Sequence, residues 1–360
     1  MASRPNGPRR AIVTGGAGFI GSNTVARLLA EGWRVLVLDN LSRRGAESNL
    51  AWLQNLGDFD FERVDLTRAA DTEEAVRAYG AVGAVIHLAG QVAVTTSLAD
   101  PRADFAGNAL ATLNVLEAVR ATGRRPITLF SSTNKVYGGL ERITLEEQAT
   151  RWHCTDQPHG LGEEAPLDFH SPYGCSKGAA DQYVRDYARC YGLPTVVLRQ
   201  SCIMGPRQFG VEDQGWVAWF LIAAMMDRPV TIFGDGKQVR DLLWVEDLVD
   251  LYLRLITSPA PPVGEILNVG GGPDRTLSLL ELLAMIERLR GKPLGHGFAN
   301  PRTGDQRWFV ADVRRAGRVA GWRPTKTVDQ AVEALWEWLQ ANRATITATI
   351  AGLPSPSPVR

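Results

Sequence analysis

The chain has 360 residues, 45% of them apolar, and its Lys plus Arg equal its Asp plus Glu at 39 each. That length and apolar content bury a sizeable core, one large α/β domain plus a smaller one, and exclude a disordered chain. Zero net charge leaves no bulk positive field pointing to nucleic acid or to an anionic membrane surface, so neither is expected as a partner.

Residues 1–10 lack the apolar stretch of a signal peptide, and no run approaches the roughly 18 apolar residues of a membrane span, so a cytoplasmic protein is expected. Cys154, Cys175, Cys190 and Cys202 form no C-x-x-C pair and suit free thiols in a reducing interior. His153-Cys154 has no second Cys/His pair at zinc spacing, so no metal is expected.

Ala11 to Thr14 reads as a buried strand running into glycines at 15, 18 and 21 and then an apolar helix, Ile20 to Glu31, stopped by Gly32. In such a turn the first glycine permits a tight bend and the second lets backbone approach a pyrophosphate. The third lets helix and strand pack closely, with the phosphate charge at the helix N-terminus. The next strand, Arg34 to Asp39, ends in a carboxylate about 20 positions beyond the glycines, where a ribose 2′-hydroxyl is held. Asp39 favours NAD, whereas Arg43 and Arg44 are placed to meet the 2′-phosphate of NADP.

Strand and helix patterns then alternate: Asp60 to Val64, a helix near Asp71 to Tyr79, Ala84 to Gly90, a helix from about Asp104 to Thr122, and Ile127 to Thr133. This rhythm predicts a Rossmann-type, doubly wound parallel sheet. Polar residues gather at the strands' C-terminal ends (Asp65, Gln91, Ser131 to Thr133), the edge at which open α/β sheets bind ligands. Gly138 to Leu167 loses periodicity and reads as an excursion over that edge, a lid.

Ser171 opens a helix to Cys190 or Tyr191 with Pro172 in its first turn, and Thr195 to Gln200 is another buried strand. Gln214 to Met226 is apolar on nearly every face, a helix buried on all sides or at a subunit contact. Thr231 to Asp247 reads as strand, turn, strand and helix start. Ile266 to Gly272 reads as a strand with a further glycine turn. Leu277 to Arg290 and Val328 to Asn342 are amphipathic helices. The expected division is a dinucleotide-binding domain over 8–202, with 241–269 returning to it, a smaller discontinuous α/β domain over 203–240 and 270–345, and a loose tail over 346–360.

Tyr173 and Lys177, four apart on one helix face, with the hydroxyl of Thr133 upstream at a strand end, describe machinery for moving a proton off a sugar hydroxyl. A free phenol, with a pKa near 10, is too weak a base at neutral pH. The Lys177 ammonium and a cationic nicotinamide are expected to favour the phenolate.

These residues resemble the extended short-chain dehydrogenase/reductases acting on nucleotide sugars, over roughly Arg10 to Leu339. Phe130-Ser131-Ser132-Thr133-Asn134-Lys135-Val136-Tyr137-Gly138, Ser171-Pro172-Tyr173-Gly174-Cys175-Ser176-Lys177 and Asp213-Gln214-Gly215-Trp216-Val217 are most similar to the branch that epimerises C2 of CDP-activated sugars. The resemblance implies Gly15, Gly18, Phe19, Ile20, Asp39, Asn40, Asp65, Leu66, Leu88, Ala89, Gln91 and Lys177 around NAD, joined by Arg43. It implies catalytic roles for Thr133, Tyr173 and Lys177. Arg207, Gln208, Arg240 and Arg307, together with Asn134, would face a nucleotide-diphosphate sugar, CDP-linked. A homodimer or homotetramer is also implied. Where relatives often carry Tyr before Gly205, this chain has Met204. Readings left open are a 4-epimerase, a 4,6-dehydratase and a non-catalytic NAD-binding regulator. Asn134-Lys135 in place of Asp-Glu speaks against the dehydratase.

Overall fold

Uninterrupted apolar runs rich in Val, Ile and Leu make strands that can be buried on both faces, and these runs assemble the central sheet. The computed structural model describes residues 9–350. Seven parallel strands lie in the order Glu265–Val269, Thr195–Gln200, Ile127–Thr133, Ala84–His87, Arg10–Thr14, Arg34–Asp39, Asp60–Arg63. The chain reverses direction of growth between Arg10–Thr14 and Ala84–His87, and the crevice over that switch point is where such sheets take ligands. One face of the sheet is covered by Val25, Leu28 and Leu248, the other by Val115, Val119 and Val184.

The glycine turn is sterically compelled. Gly15 has φ +66°, and a Cβ there would meet the Ala89 nitrogen at 2.7 Å. A Cβ on Gly21 would lie 2.0 Å from the Gly15 oxygen, so the helix Phe19–Ala30 can close on the strand only without a side chain at that position.

A second core joins Met204, Phe220, Ile232, Leu282, Leu335 and Ile346. The helix Trp216–Met225 is buried from Val217 to Met225 against helices of the same chain, Leu279–Arg290 and Val328–Ala341, which removes the need for a subunit contact. Met204 is wholly buried in this core. The expected loose tail is helical at its start: Arg343–Ile350 forms a helix whose Ile346 and Ile350 are buried, because two isoleucines one turn apart complete the core. The rest of that tail, 351–360, lies outside the described residues.

Three further differences have local causes. The helix expected from Asp104 to Thr122 is Pro101–Phe105, a wider π turn Ala106–Leu110, and Ala111–Ala121. Residues 138–167 form no lid. Their hairpin of Leu145–Glu147 and Trp152–Cys154 and the residues beyond it pack on Val239 and Phe309, a third apolar cluster, and none of them lines either cavity described below. The glycine turn after Val269 is filled from within: the Gly272 N–H donates to the buried carboxylate of Asp241 at 3.0 Å.

Candidate active site

Two adjoining cavities open along the C-terminal edge of the sheet. The first, about 350 Å³, is floored by the glycine turn and walled by Phe19, Ile20, Asp39, Asn40, Arg43, Asp65, Leu66, Leu88, Ala89 and Gln91. All of the expected cofactor residues except Lys177 therefore meet there. Asp39 is fixed by two main-chain donors, Ala17 N at 3.0 Å and Leu41 N at 2.8 Å. Burial raises its pKa and these bonds oppose the rise. The second cavity, about 370 Å³, is lined by Thr133, Asn134, Lys135, Tyr173, Trp216, Phe233, Arg240 and Arg302, among others.

Val92 and Gln214 line both cavities. Gln214 belongs to a tight turn closed by reciprocal bonds between Val211 and Gln214. Arg43 donates to Gln214 Oε1 at 2.8 Å from the first cavity's side. Arg302 grips the turn from the second, donating to the Glu212 carbonyl at 3.0 Å and pairing with Asp213 at 3.0 Å.

Thr133 ends its strand, and its Oγ accepts from Lys135 N at 3.2 Å, turning the chain so that Asn134 and Lys135 face the second cavity. Tyr173 enters from the helix Ser171–Tyr191. Lys177, one turn on, donates to the Ser131 carbonyl at 2.5 Å and lies 4.3 Å from the Phe130 ring centre. The buried ion pair of Arg199 with Asp181 (2.9 Å), to which Ser132 Oγ also donates (2.7 Å), ties that strand to that helix.

One electrostatic expectation is corrected. Burial pushes the Tyr173 phenol up to about 12. Asp104 adds to the rise, Thr133 and Arg43 oppose it, and the Lys177 ammonium is not among the groups that lower it. Lys177 is itself brought down to about 8 by burial, with Asp181 and Asp104 opposing. In the protein alone desolvation outweighs the neighbouring cation. A cationic ring held in the first cavity would push the phenol back down.

The substrate residues read from sequence divide. Asn134 and Arg240 line the second cavity. Arg207 and Gln208 line the first instead, Arg207 lying 4.2 Å from the Trp52 ring centre and 5.6 Å from that of Trp338. Arg307 lines neither and lies 4.9 Å from the Trp152 ring centre. Met204 is likewise in neither wall. Phe233, Arg302 and Asp305 also line this cavity without having been expected there, and Lys135 was expected only as a departure from the dehydratase pattern. Arg302 sits in an aperiodic stretch, in which the resemblance pointed to Arg307 instead. Arg240 is paired with Asp305 at 2.7 Å. Lys135, brought down to about 8 by burial and by Arg240, donates to the Gly304 carbonyl at 3.0 Å.

An open parallel sheet with a side-chain-free turn at its switch point, a strand-end carboxylate and a Tyr-Lys helix defines a dinucleotide-dependent α/β enzyme. The chain belongs to the NAD-dependent epimerase/dehydratase family of extended short-chain dehydrogenase/reductases, whose pattern matches residues 11–270. It is 44% identical over 332 residues to CDP-paratose 2-epimerase of Salmonella typhi, covering 91% of this chain and 98% of the relative. It is 34% identical to UDP-glucose 4-epimerase of Mycolicibacterium smegmatis, covering 92% and 98%. Among solved structures it resembles UDP-glucuronic acid 4-epimerase from Bacillus cereus in complex with UDP-glucuronic acid and NAD (TM-score 0.79, 26% identity, 92% and 99% covered). It also resembles UDP-glucose 4-epimerase from Thermotoga maritima with UDP-glucose (0.78, 29%, 93% and 99%). The chain is thus an enzyme of the epimerase class with NAD as its cofactor, and the first cavity fits that group: Gly15, Gly18 and Gly21 line it without side chains, and the Asp39 carboxylate stands in its wall, held by two main-chain donors. No helix among the described residues is long and apolar enough to cross a membrane.

Proposed function

We propose that the chain is a nucleotide-sugar 2-epimerase of the CDP-paratose/CDP-tyvelose type, inverting C2 of a CDP-activated hexose or dideoxyhexose. The observation that carries the reading is the convergence of Thr133 and Tyr173 in one cavity beside the glycine-turn cleft, together with 44% identity to a CDP-paratose 2-epimerase across nearly its whole length. When bound, NAD would supply the reversible hydride chemistry by which C2 is oxidised to a transient ketone and reduced again on its other face. Tyr173 takes the C2 hydroxyl proton, directly or through Thr133, and gives it back after the sugar turns. Lys177 holds the nicotinamide ribose. Arg240 and Arg302 grip the diphosphate, which competes with Asp305 and Asp213 for them and leaves the hexose loosely held.

A 4-epimerase uses the same residues on a sugar held differently, and it is favoured by the relatives named for UDP-sugars. A 4,6-dehydratase is disfavoured. Where it would need carboxyl groups, Asn134 is bonded to Gln306 and Lys135 is paired with Asp305. A non-catalytic regulator has no use for the retained Tyr173 and Lys177. Exposed Phe105, Tyr183 and Tyr191 on neighbouring helices support a homodimer or homotetramer through that face, and the location we propose is the cytoplasm. The smaller domain is assigned to 203–240 and 270–345, extended by the helix to Ile350.

The test is product analysis after mixing the purified protein, without added cofactor, with CDP-, UDP- and GDP-hexoses. Inversion of C2 on a CDP-sugar is expected, and inversion of C4 on a UDP-sugar overturns the reading. In deuterated water, appreciable deuterium at C2 overturns direct hydride return.

A further inference from the structure

Asp104 is 1% exposed and lies on the short helix Pro101–Phe105, immediately before the π turn. Its carboxylate accepts three hydrogen bonds from three different segments. Ser176 Oγ donates to Oδ2 at 2.5 Å, and Gln91 Nε2 and Asn108 Nδ2 donate to Oδ1 at 2.8 and 3.2 Å. All three partners can offer an N–H or O–H to the carboxylate; burial raises its pKa, and the bonds from Ser176 and Gln91 and the charge of Lys177 oppose the rise. Ser176 lies between Tyr173 and Lys177 on their helix, and Gln91 walls the first cavity.

We propose that Asp104 is a positioning residue of the active centre, clamping the Tyr173–Lys177 turn against Gln91 and the cofactor cleft and supplying the buried negative charge that balances Lys177. This rests on the epimerase reading above. Of the two carboxylates acting on Lys177, Asp181 is already neutralised by Arg199, which leaves Asp104 as the one not consumed by an arginine. The other charged or titratable groups around the pair are Arg43 after Asp39, His87 on the neighbouring strand, which burial and Lys177 hold neutral, and Lys135, paired with Asp305. The charge of Asp104 raises the proton affinity of both Tyr173 and Lys177, so its removal lowers both.

The experiment compares the NAD-loaded wild type with Asp104→Asn and Asp104→Glu. In D104N, kcat is expected to fall about tenfold with KM within about threefold, and both limbs of the kcat–pH profile to move to lower pH. D104E, which keeps the charge, is expected to keep the wild-type limbs. Limbs that stay in place in D104N, whether or not kcat or Tm falls, overturn the inference. A substrate-free readout separates its failure from that of the epimerase reading. The phenolate absorbance of each protein minus that of its Tyr173→Phe counterpart reports Tyr173 alone, and titrates at lower pH in D104N. An unshifted titration counts against Asp104 even when turnover is seen, and a shifted one upholds it even when no tested sugar is turned over.

Discussion

Lys177 donates to the main-chain carbonyl of Ser131 at 2.5 Å, joining the helix that carries Tyr173 to the strand that ends in Thr133. The ammonium thereby sits behind Ser131, which lines the first cavity, on the helix whose Tyr173 lines the second, a buried cation in the interior.

That burial brings Lys177 from its ordinary value down to about 8. The unfolded chain therefore binds the proton more tightly than the folded one. The resulting penalty is fully present below about pH 8 and disappears as pH rises toward the ordinary lysine value. Lys177→Met is expected to abolish turnover, and the stability of the wild type relative to the variant to rise between about pH 8 and the ordinary lysine value, read by denaturant unfolding at both ends of that interval. A difference that stays constant over the interval contradicts this.

Tyr173 begins near 12 in the chain alone. A cationic nicotinamide beside it lowers that value by about one unit or more, and the reduced, neutral form does not. The phenolate difference spectrum between wild type and Tyr173→Phe, recorded with NAD⁺ and with NADH, checks the contrast. Tyr173→Phe itself is expected to lose a factor of about 10² to 10⁴ in kcat while retaining bound NAD.

Asp181 and Arg199 form an ion pair 2.9 Å apart, with side chains almost entirely buried. Asp181→Ala strands the guanidinium in the interior and is expected to lower stability by about 3–5 kcal/mol, measured by calorimetry.

Arg302 and Arg307 differ in what they face. Arg302→Ala is expected to raise KM for the nucleotide sugar about tenfold or more, because a charge-assisted contact is lost. Arg307→Ala leaves KM within about twofold. Equal effects from the two variants contradict the assignment of Arg302 to the second cavity.

Gly21→Ala places a methyl against the Gly15 carbonyl. NAD content of the purified protein is expected to fall to a small fraction of the wild-type value, and extraction with absorbance measurement settles it.

The sheet and the cofactor cleft were legible because each rests on a local signal. Continuous apolar runs specify the inner strands, and the glycine turn and Asp39 lie within one strand–helix–strand unit. The second cavity was less so. Its walls come from residues near 95, 133, 173, 213, 240 and 302, and only the Thr133 and Tyr173 segments carry a pattern that chemistry alone interprets. Arg302 owes its place to Asp213 and Phe233, partners distant in the chain, and no periodicity announces them. The π turn near Asn108 was invisible because its widening depends on polar bonds to Asp104 and Ser176. The hairpin within 138–167 was read as a cover because low periodicity does not reveal that Cys154 and Leu161 find apolar partners at Phe309.

One edge strand of the sheet, Glu265–Val269, pairs with Thr195–Gln200, yet the ribosome makes it only after the helix Trp216–Met225. The nascent amino-terminal half therefore emerges with an open flank that must wait for its last ribbon. A fragment cut near residue 202 keeps that flank bare and invites aggregation, so separating the two halves by expression calls for a spliced-in 265–269 segment rather than a simple truncation.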